Sequence, residues 1–193
     1  GSSLENAAFK NYYTSTGNSP RTAYGSRVFN DLIMTDLKAM PNTMVSEMDM
    51  VDTYIGNRKL GTLDPTKVRG IGDTYTHSYG FITDANGNVV EVFSWGDNGT
   101  TVWYDASSPI GQKIRAIAQS SYDNGLAHRV GGMELDGHMI ESFQKMKGST
   151  HPWQPNNNCK HEIIRLIDDA HMNTYGTPYR GSAYDLPGWR ITN

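Results

Sequence analysis

Between Gly70 and Tyr104 the chain carries two stretches dominated by β-branched and aromatic residues, TYTHSYGFI and VVEVFSW, separated only by Asp84-Ala85-Asn86-Gly87-Asn88. So short a connection joins antiparallel neighbours and nothing else, with Gly87 available where the turn needs a positive φ. Thr100 to Tyr104 reads as a third strand. Helical patterns flank this β block instead of alternating with it, which predicts an α+β fold built on a small antiparallel sheet. At 193 residues the chain is long enough for one domain, spanning 1–193.

Before the sheet, residues 1–25 are polar, aperiodic and rich in turn formers, and read as an irregular lead-in. From Ser26 the apolar residues Val28, Phe29, Leu32, Ile33, Leu37 and Met40 recur at helical spacing until Pro41 stops them. A Met-rich continuation from Met44 to Ile55, ending at Gly56-Asn57, completes an expected helical section over 26–60. After the sheet, Ser108-Pro109 reads as an N-cap followed by proline at the first helical position, opening a helix through Ile114, Ile117 and Ala118. A second helix is expected over Leu135 to Met146, closed by Gly148.

The segment HPWQPNNNCKHEIIRLIDDAHMN is the clearest helix. Two prolines keep its approach extended, Asn157 or Asn158 caps it, and Ile163, Ile164, Ile167 and Ala170 form one apolar stripe. Cys159 stands four residues before Ile163, in the first turn on the buried face. Residues 173–193 read as an irregular tail packed over the surface.

Composition removes several function classes. Seventeen Lys and Arg against twenty Asp and Glu give a formal net charge of −3, with no basic patch for nucleic acid. No apolar run is long enough for a membrane span, and the chain opens without a charged n-region and apolar h-region, so no membrane insertion and no export signal of its own are expected. The single cysteine excludes an intrachain disulfide and a cysteine-rich zinc site. His151, Cys159 and His161 match no common zinc spacing, and no metal or cofactor is called for.

What remains is nucleophilic chemistry. A thiol in the first turn of a helix feels the positive end of the helix dipole and unpaired N–H groups, which favour the thiolate and could hold an oxyanion. Its base must come from elsewhere in the fold. His161, two residues on, projects about 200° around the helix from Cys159. His77 lies within a β stretch that can aim an imidazole at the helix start.

Gly72-Asp73 ahead of a strand with His77, then Gly80-Phe81-Ile82, a hairpin and a second strand, and much later Asn158-Cys159-Lys160-His161, resembles the circularly permuted NlpC/P60 papain-like group, which includes the lecithin retinol acyltransferase-like proteins. The resemblance spans 70–172. It implies a papain-like fold in which Cys159 is the nucleophile, His77 the general base and acid, and a polar side chain on the next strand the group that orients the imidazole. Glu91 holds that place by pattern. Strand geometry offers Ser94 as its rival, because a three-residue Ala85-Asn86-Gly87 loop pairs Glu91 with Phe81, whereas a two-residue Asn86-Gly87 loop makes Ser94 the diagonal neighbour of His77; Asp97 trails both. Glycine follows His77 at the third position where the group has it at the second, so a bulge is expected near Ser78-Tyr79.

The resemblance further implies a cysteine peptidase or amidase acting on peptide stems of peptidoglycan. Acyl-lipid members carry a second histidine on the next strand and a membrane anchor, and neither is seen here. A cell-wall hydrolase without a leader resembles interbacterial effectors delivered by type VI secretion, with an apparatus carrier and an immunity protein as partners and the target periplasm as the place of action. Trp95, Trp103 and Trp153 are candidates for a substrate groove. Two other classes stay open: a non-enzymatic module of a phage tail or secretion apparatus with Cys159 merely buried, and an acyltransferase or lipid hydrolase of the same fold.

Overall fold

The computed structural model describes residues 49–73, 75–95, 107–146, 154, 158–181 and 189, and the backbone alone of 101–103. The expected helix from Ser26 to Pro41, the lead-in 1–25, most of the tail, and Asp97, His151 and Trp153 lie outside these residues.

The strands are β1 (Asp52–Lys59), β2 (Val68–Arg69), β3 (Thr76–Thr83), β4 (Val89–Trp95), β5 (Thr101–Trp103) and β6 (His128–Gly132). The helices are α1 (Pro109–Asp123), α2 (Met133–Met146) and α3 (Cys159–Tyr175), with a 3₁₀ turn at Pro65–Lys67. The sheet runs β2-β1-β3-β4-β5, with β6 also on β1, and every pairing is antiparallel. This is the small antiparallel sheet of the expected α+β class.

Helix ends follow local chemistry. Ser108 Oγ accepts the Gly111 N–H at 3.0 Å, and Pro109 opens α1 where its missing N–H costs nothing. Asn158 caps α3, accepting from the Lys160 N–H at 3.1 Å, and Gly176 closes it with φ 72°. The helix therefore reaches three residues beyond the expected 172.

Side-chain alternation divides the core between the two sheet faces. On one, Tyr79, Phe81, Val89 and Val92 pack against Ile110, Ile114, Ile117 and Ala118 of α1. On the other, Ile55, Ile82 and Phe93 meet Leu135, Met139, Ile140 and Phe143 of α2 and Ile163, Ile164 and Ile167 of α3. Gly80 lies on this second face, where an added Cβ would come within 3.8 Å of Ile163.

The segment after the Met-rich stretch departs from expectation. Residues 52–59, expected to end a helical section, form β1, paired with β3 over all eight of its residues and flanked on its other edge by β2 and β6. Thr53-Tyr54-Ile55 favours extended backbone, and three partner strands supply its hydrogen bonds, which outweighs a helical spacing of methionines. The sheet thus begins before residue 70.

The hairpin closes through the three-residue Ala85-Asn86-Gly87 loop but does not keep that loop's register. Asp84 N–H donates to Asn88 O at 2.9 Å, closing a three-residue turn with Gly87 at φ 78°. The register then shifts between Ile82 and Thr83, so Thr83 faces Val89 but Ile82 faces Glu91 and Tyr79 faces Ser94. The extra residue is a β-bulge at Val89-Val90, and α1 satisfies its spare backbone groups. Gln119 Oε1 accepts the Val89 N–H at 2.9 Å while its Nε2 donates to Gly87 O at 2.8 Å, and Arg115 Nη2 donates to Val90 O at 3.0 Å. No bulge occurs near Ser78-Tyr79, where β1 pairs with β3 in unbroken register. Gln119→Ala is expected to cost about 1–3 kcal/mol, the penalty for an unsatisfied buried N–H, and to speed amide exchange in the 83–90 turn. Equal melting curves and exchange rates for variant and parent would contradict this reading of the bulge.

Candidate functional site

Cys159 is the first residue of α3 and 8% exposed. Its turn is fixed from both sides. Asn158 caps Lys160, and the backbone N–H of Asn158 donates to His161 Nδ1 at 3.2 Å, completing a capping box. His161 is thus a buried capping residue, a role foreshadowed by its position three residues after the cap.

The bulged register decides which polar residue meets the histidine. His77 Nε2 and Ser94 Oγ are 2.8 Å apart in the interior, the diagonal pair that a two-residue loop would have produced. Glu91 is buried, but it stands opposite Ile82 and so shares the face of α2 and α3. His77 shares its face with Tyr79, on which it stacks at 6.4 Å, and with the buried Arg58 directly across on β1. Burial, reinforced by the Arg58 guanidinium and the Lys160 ammonium, holds the imidazole neutral, its pKa well below the ordinary histidine value. A neutral imidazole is the form a general base requires.

The residues on either side of His77 point the other way, and α3 grips them. Lys160, 8% exposed, donates from Nζ to Ser78 Oγ at 2.7 Å and to Thr76 Oγ1 at 3.0 Å, and lies 4.8 Å from the centre of the Trp189 ring. Ser78 donates in turn to Asn57 Oδ1, Asn57 Nδ2 donates to Gly70 O at 3.1 Å, and Thr76 Oγ1 donates to Asp73 O at 3.1 Å. This polar chain, which inspection of residue types did not single out, ties the first turn of α3 to the start of β3. Burial lowers the Lys160 pKa, while the nearby Cys159 and Asp73 favour its charged form.

The sheet therefore brings together His77 and Ser94 on the α1 face, and Lys160, Ser78 and Thr76 on the α3 face where the Cys159 helix packs. The missing bulge explains this division: with unbroken alternation, Ser78 and not His77 shares the face of Gly80. Trp95 is buried beside Phe143, Ile163 and Leu166, which makes it core and not groove. Among the described residues no group of three or more His, Cys, Asp or Glu side chains is arranged to hold a metal ion. No helix among them is long and apolar enough to cross a membrane. No family model matches the chain, and neither the curated proteins nor the solved structures contain a match to it.

Proposed function

We propose that this protein is a cysteine hydrolase of the permuted papain-like type, cleaving amide bonds in peptidoglycan peptides. The observation that carries the reading is the seating of Cys159 as the first residue of a capped helix whose next side chain, Lys160, docks on the strand that holds His77. The thiolate is favoured by the helix dipole and the adjacent Lys160 ammonium. It adds to the amide carbonyl, the oxyanion develops at the N-terminal end of α3, where the helix dipole favours negative charge, and the amine leaves with a proton to give a thioester that water hydrolyses. The resemblance assigns the role of base and acid to His77, kept neutral and hydrogen-bonded to Ser94 in place of Glu91, although its side chain stands on the α1 face, across the sheet from the helix that carries Cys159.

A peptide substrate is favoured over an acyl lipid because the polar partner of His77 is a serine and not a second histidine. Delivery by a secretion system into a neighbouring cell's periplasm, with an immunity protein guarding the producer, extends the reading to an antibacterial effector.

One observation favours a second source for the base. Lys160, not His77, is the titratable side chain seen reaching β3 from the α3 side of the sheet. The experiment is digestion of purified peptidoglycan, with released peptides measured by mass spectrometry. The parent is expected to release them and Cys159→Ala to release none. Loss in His77→Ala with retention in Lys160→Met assigns the base to His77, and the opposite pattern assigns it to Lys160. A fully active Cys159→Ala protein overturns both.

A further inference from the structure

Among the described residues, three groups meet the buried Lys160 Nζ: Ser78 Oγ at 2.7 Å, Thr76 Oγ1 at 3.0 Å and the Trp189 ring, whose centre is 4.8 Å away. The partners one step further out fix the direction of each hydrogen bond. A backbone carbonyl accepts and never donates, so Gly70 O, 3.1 Å from Asn57 Nδ2, sets the orientation of the Asn57 amide and turns its Oδ1 toward Ser78. Oδ1 also only accepts, which commits the Ser78 hydroxyl proton to Asn57. By the same rule Asp73 O takes the Thr76 hydroxyl proton at 3.1 Å. Both hydroxyl oxygens are left with lone pairs alone to offer Nζ, and Lys160 must donate to each.

Trp189 closes the third side. It is fully buried and held in place by its Nε1, which donates to Ile71 O at 2.8 Å, and an aromatic face is negative and attracts a cation. A neutral amine carries two N–H groups and a lone pair, and in these surroundings that lone pair would meet either an oxygen lone pair or the face of the ring. An ammonium carries three N–H groups and meets all three partners as a donor. Burial disfavours the charge, while Cys159 and Asp73 support it. The other titratable groups that strand register places nearby are Lys59 and Arg69 on the same face and His77 on the opposite one.

We infer that Lys160 is a fixed ammonium in the resting protein, and that Asn57 and Trp189 are positioning residues that act through it on the Cys159 thiol. An ammonium has no lone pair with which to take the thiol proton, so Lys160 serves the proposed hydrolysis as a charge and not as its base. That catalytic consequence rests on the hydrolase reading, whereas the protonation state rests on the hydrogen bonds alone.

The test is the ¹⁵N NMR shift of Lys160 Nζ, which differs between ammonium and amine, followed against pH in the Cys159→Ala protein so that the thiol plays no part. The signal is expected to be that of an ammonium from about pH 6 to pH 8. Asn57→Leu deletes the acceptor that commits the Ser78 proton, and is expected to lower the pH at which Lys160 titrates by about one unit or more, a tenfold change in the equilibrium. Asn57→Asp loses the donor to Gly70 O just as leucine does but keeps an acceptor for Ser78, and is expected to leave Lys160 an ammonium. Ser78→Ala and Trp189→Leu, each removing one electron-rich partner, are expected to shift the titration in the same direction as Asn57→Leu. With Cys159 restored, Asn57→Leu is expected to move the midpoint of alkylation by iodoacetamide upward. An amine signal at about pH 7 in the Cys159→Ala protein, equal titration shifts in Asn57→Leu and Asn57→Asp, or no downward shift in Ser78→Ala overturns the inference. The two proposals fail separately: an ammonium signal beside a fully active Cys159→Ala protein removes the hydrolase and keeps the fixed charge, whereas an amine signal beside an inactive Cys159→Ala protein removes only the fixed charge.

Discussion

Replacing Cys159 by alanine is expected to lower peptidoglycan hydrolysis by at least about 10³-fold, since the covalent route is lost and only binding and oxyanion stabilisation remain. Serine at the same position should be nearly as poor, because its hydroxyl is not ionised by a helix N-terminus and a neighbouring ammonium as a thiol is. Neither change should disturb the fold. Cys159 is small, and the cap made by Asn158 and His161 depends on other side chains. Unchanged melting curves together with lost activity distinguish chemistry from stability, and a parallel loss of both would point to a packing role for the thiol.

The second large effect concerns stability and lies away from the site. Asp136 on α2 is fully buried against β1, with Thr53 Oγ1 donating to its Oδ1 and no hydrogen-bond partner for Oδ2 among the described residues. Desolvation raises its pKa to about 7, and the nearby Asp52 adds to the rise, against the Thr53 hydrogen bond and the Arg129 charge. The unfolded chain releases this proton near the ordinary carboxyl value, so between about pH 4 and pH 7 the folded state binds more protons than the unfolded state. Stability from this group is thus fully present below about pH 4 and is lost as pH rises to about 7. Asp136→Asn keeps an acceptor for Thr53 and removes the ionisation. It is expected to flatten this part of the pH profile and to stabilise the protein at pH 8 by on the order of 2–3 kcal/mol. Denaturant unfolding at about pH 5 and pH 8 measures this, and an Asp136→Asn variant that keeps the parent's pH dependence would assign the effect elsewhere.

Elements with local signals were legible from residue types. Ser108-Pro109, the Asn158 cap and the apolar stripe of α3 each announce a helix through groups within one turn of its start, and the hairpin through its turn residues. What sequence could not display was set by distant partners. The strand identity of residues 52–59 depends on β2, β3 and β6, none of which a local window contains. Likewise the bulge at Val89-Val90 depends on Gln119 and Arg115, about thirty residues away along the chain, and it alone makes Ser94 the neighbour of His77. The expected bulge at Ser78-Tyr79 came from aligning His77 with the family's glycine spacing. In its absence Thr76 and Ser78 turn toward α3, and the buried Lys160 that meets them emerges only in three dimensions.

The reading rests on a thiol primed for attack, and the rate of Cys159 alkylation by iodoacetamide as a function of pH tests it most directly. The account predicts a rate that rises with a midpoint well below about 8.5, the value of an ordinary thiol. It further predicts that Lys160→Met moves the midpoint upward. A midpoint at or above about 8.5, or no reaction until the protein unfolds, would contradict it and leave Cys159 as a buried apolar residue.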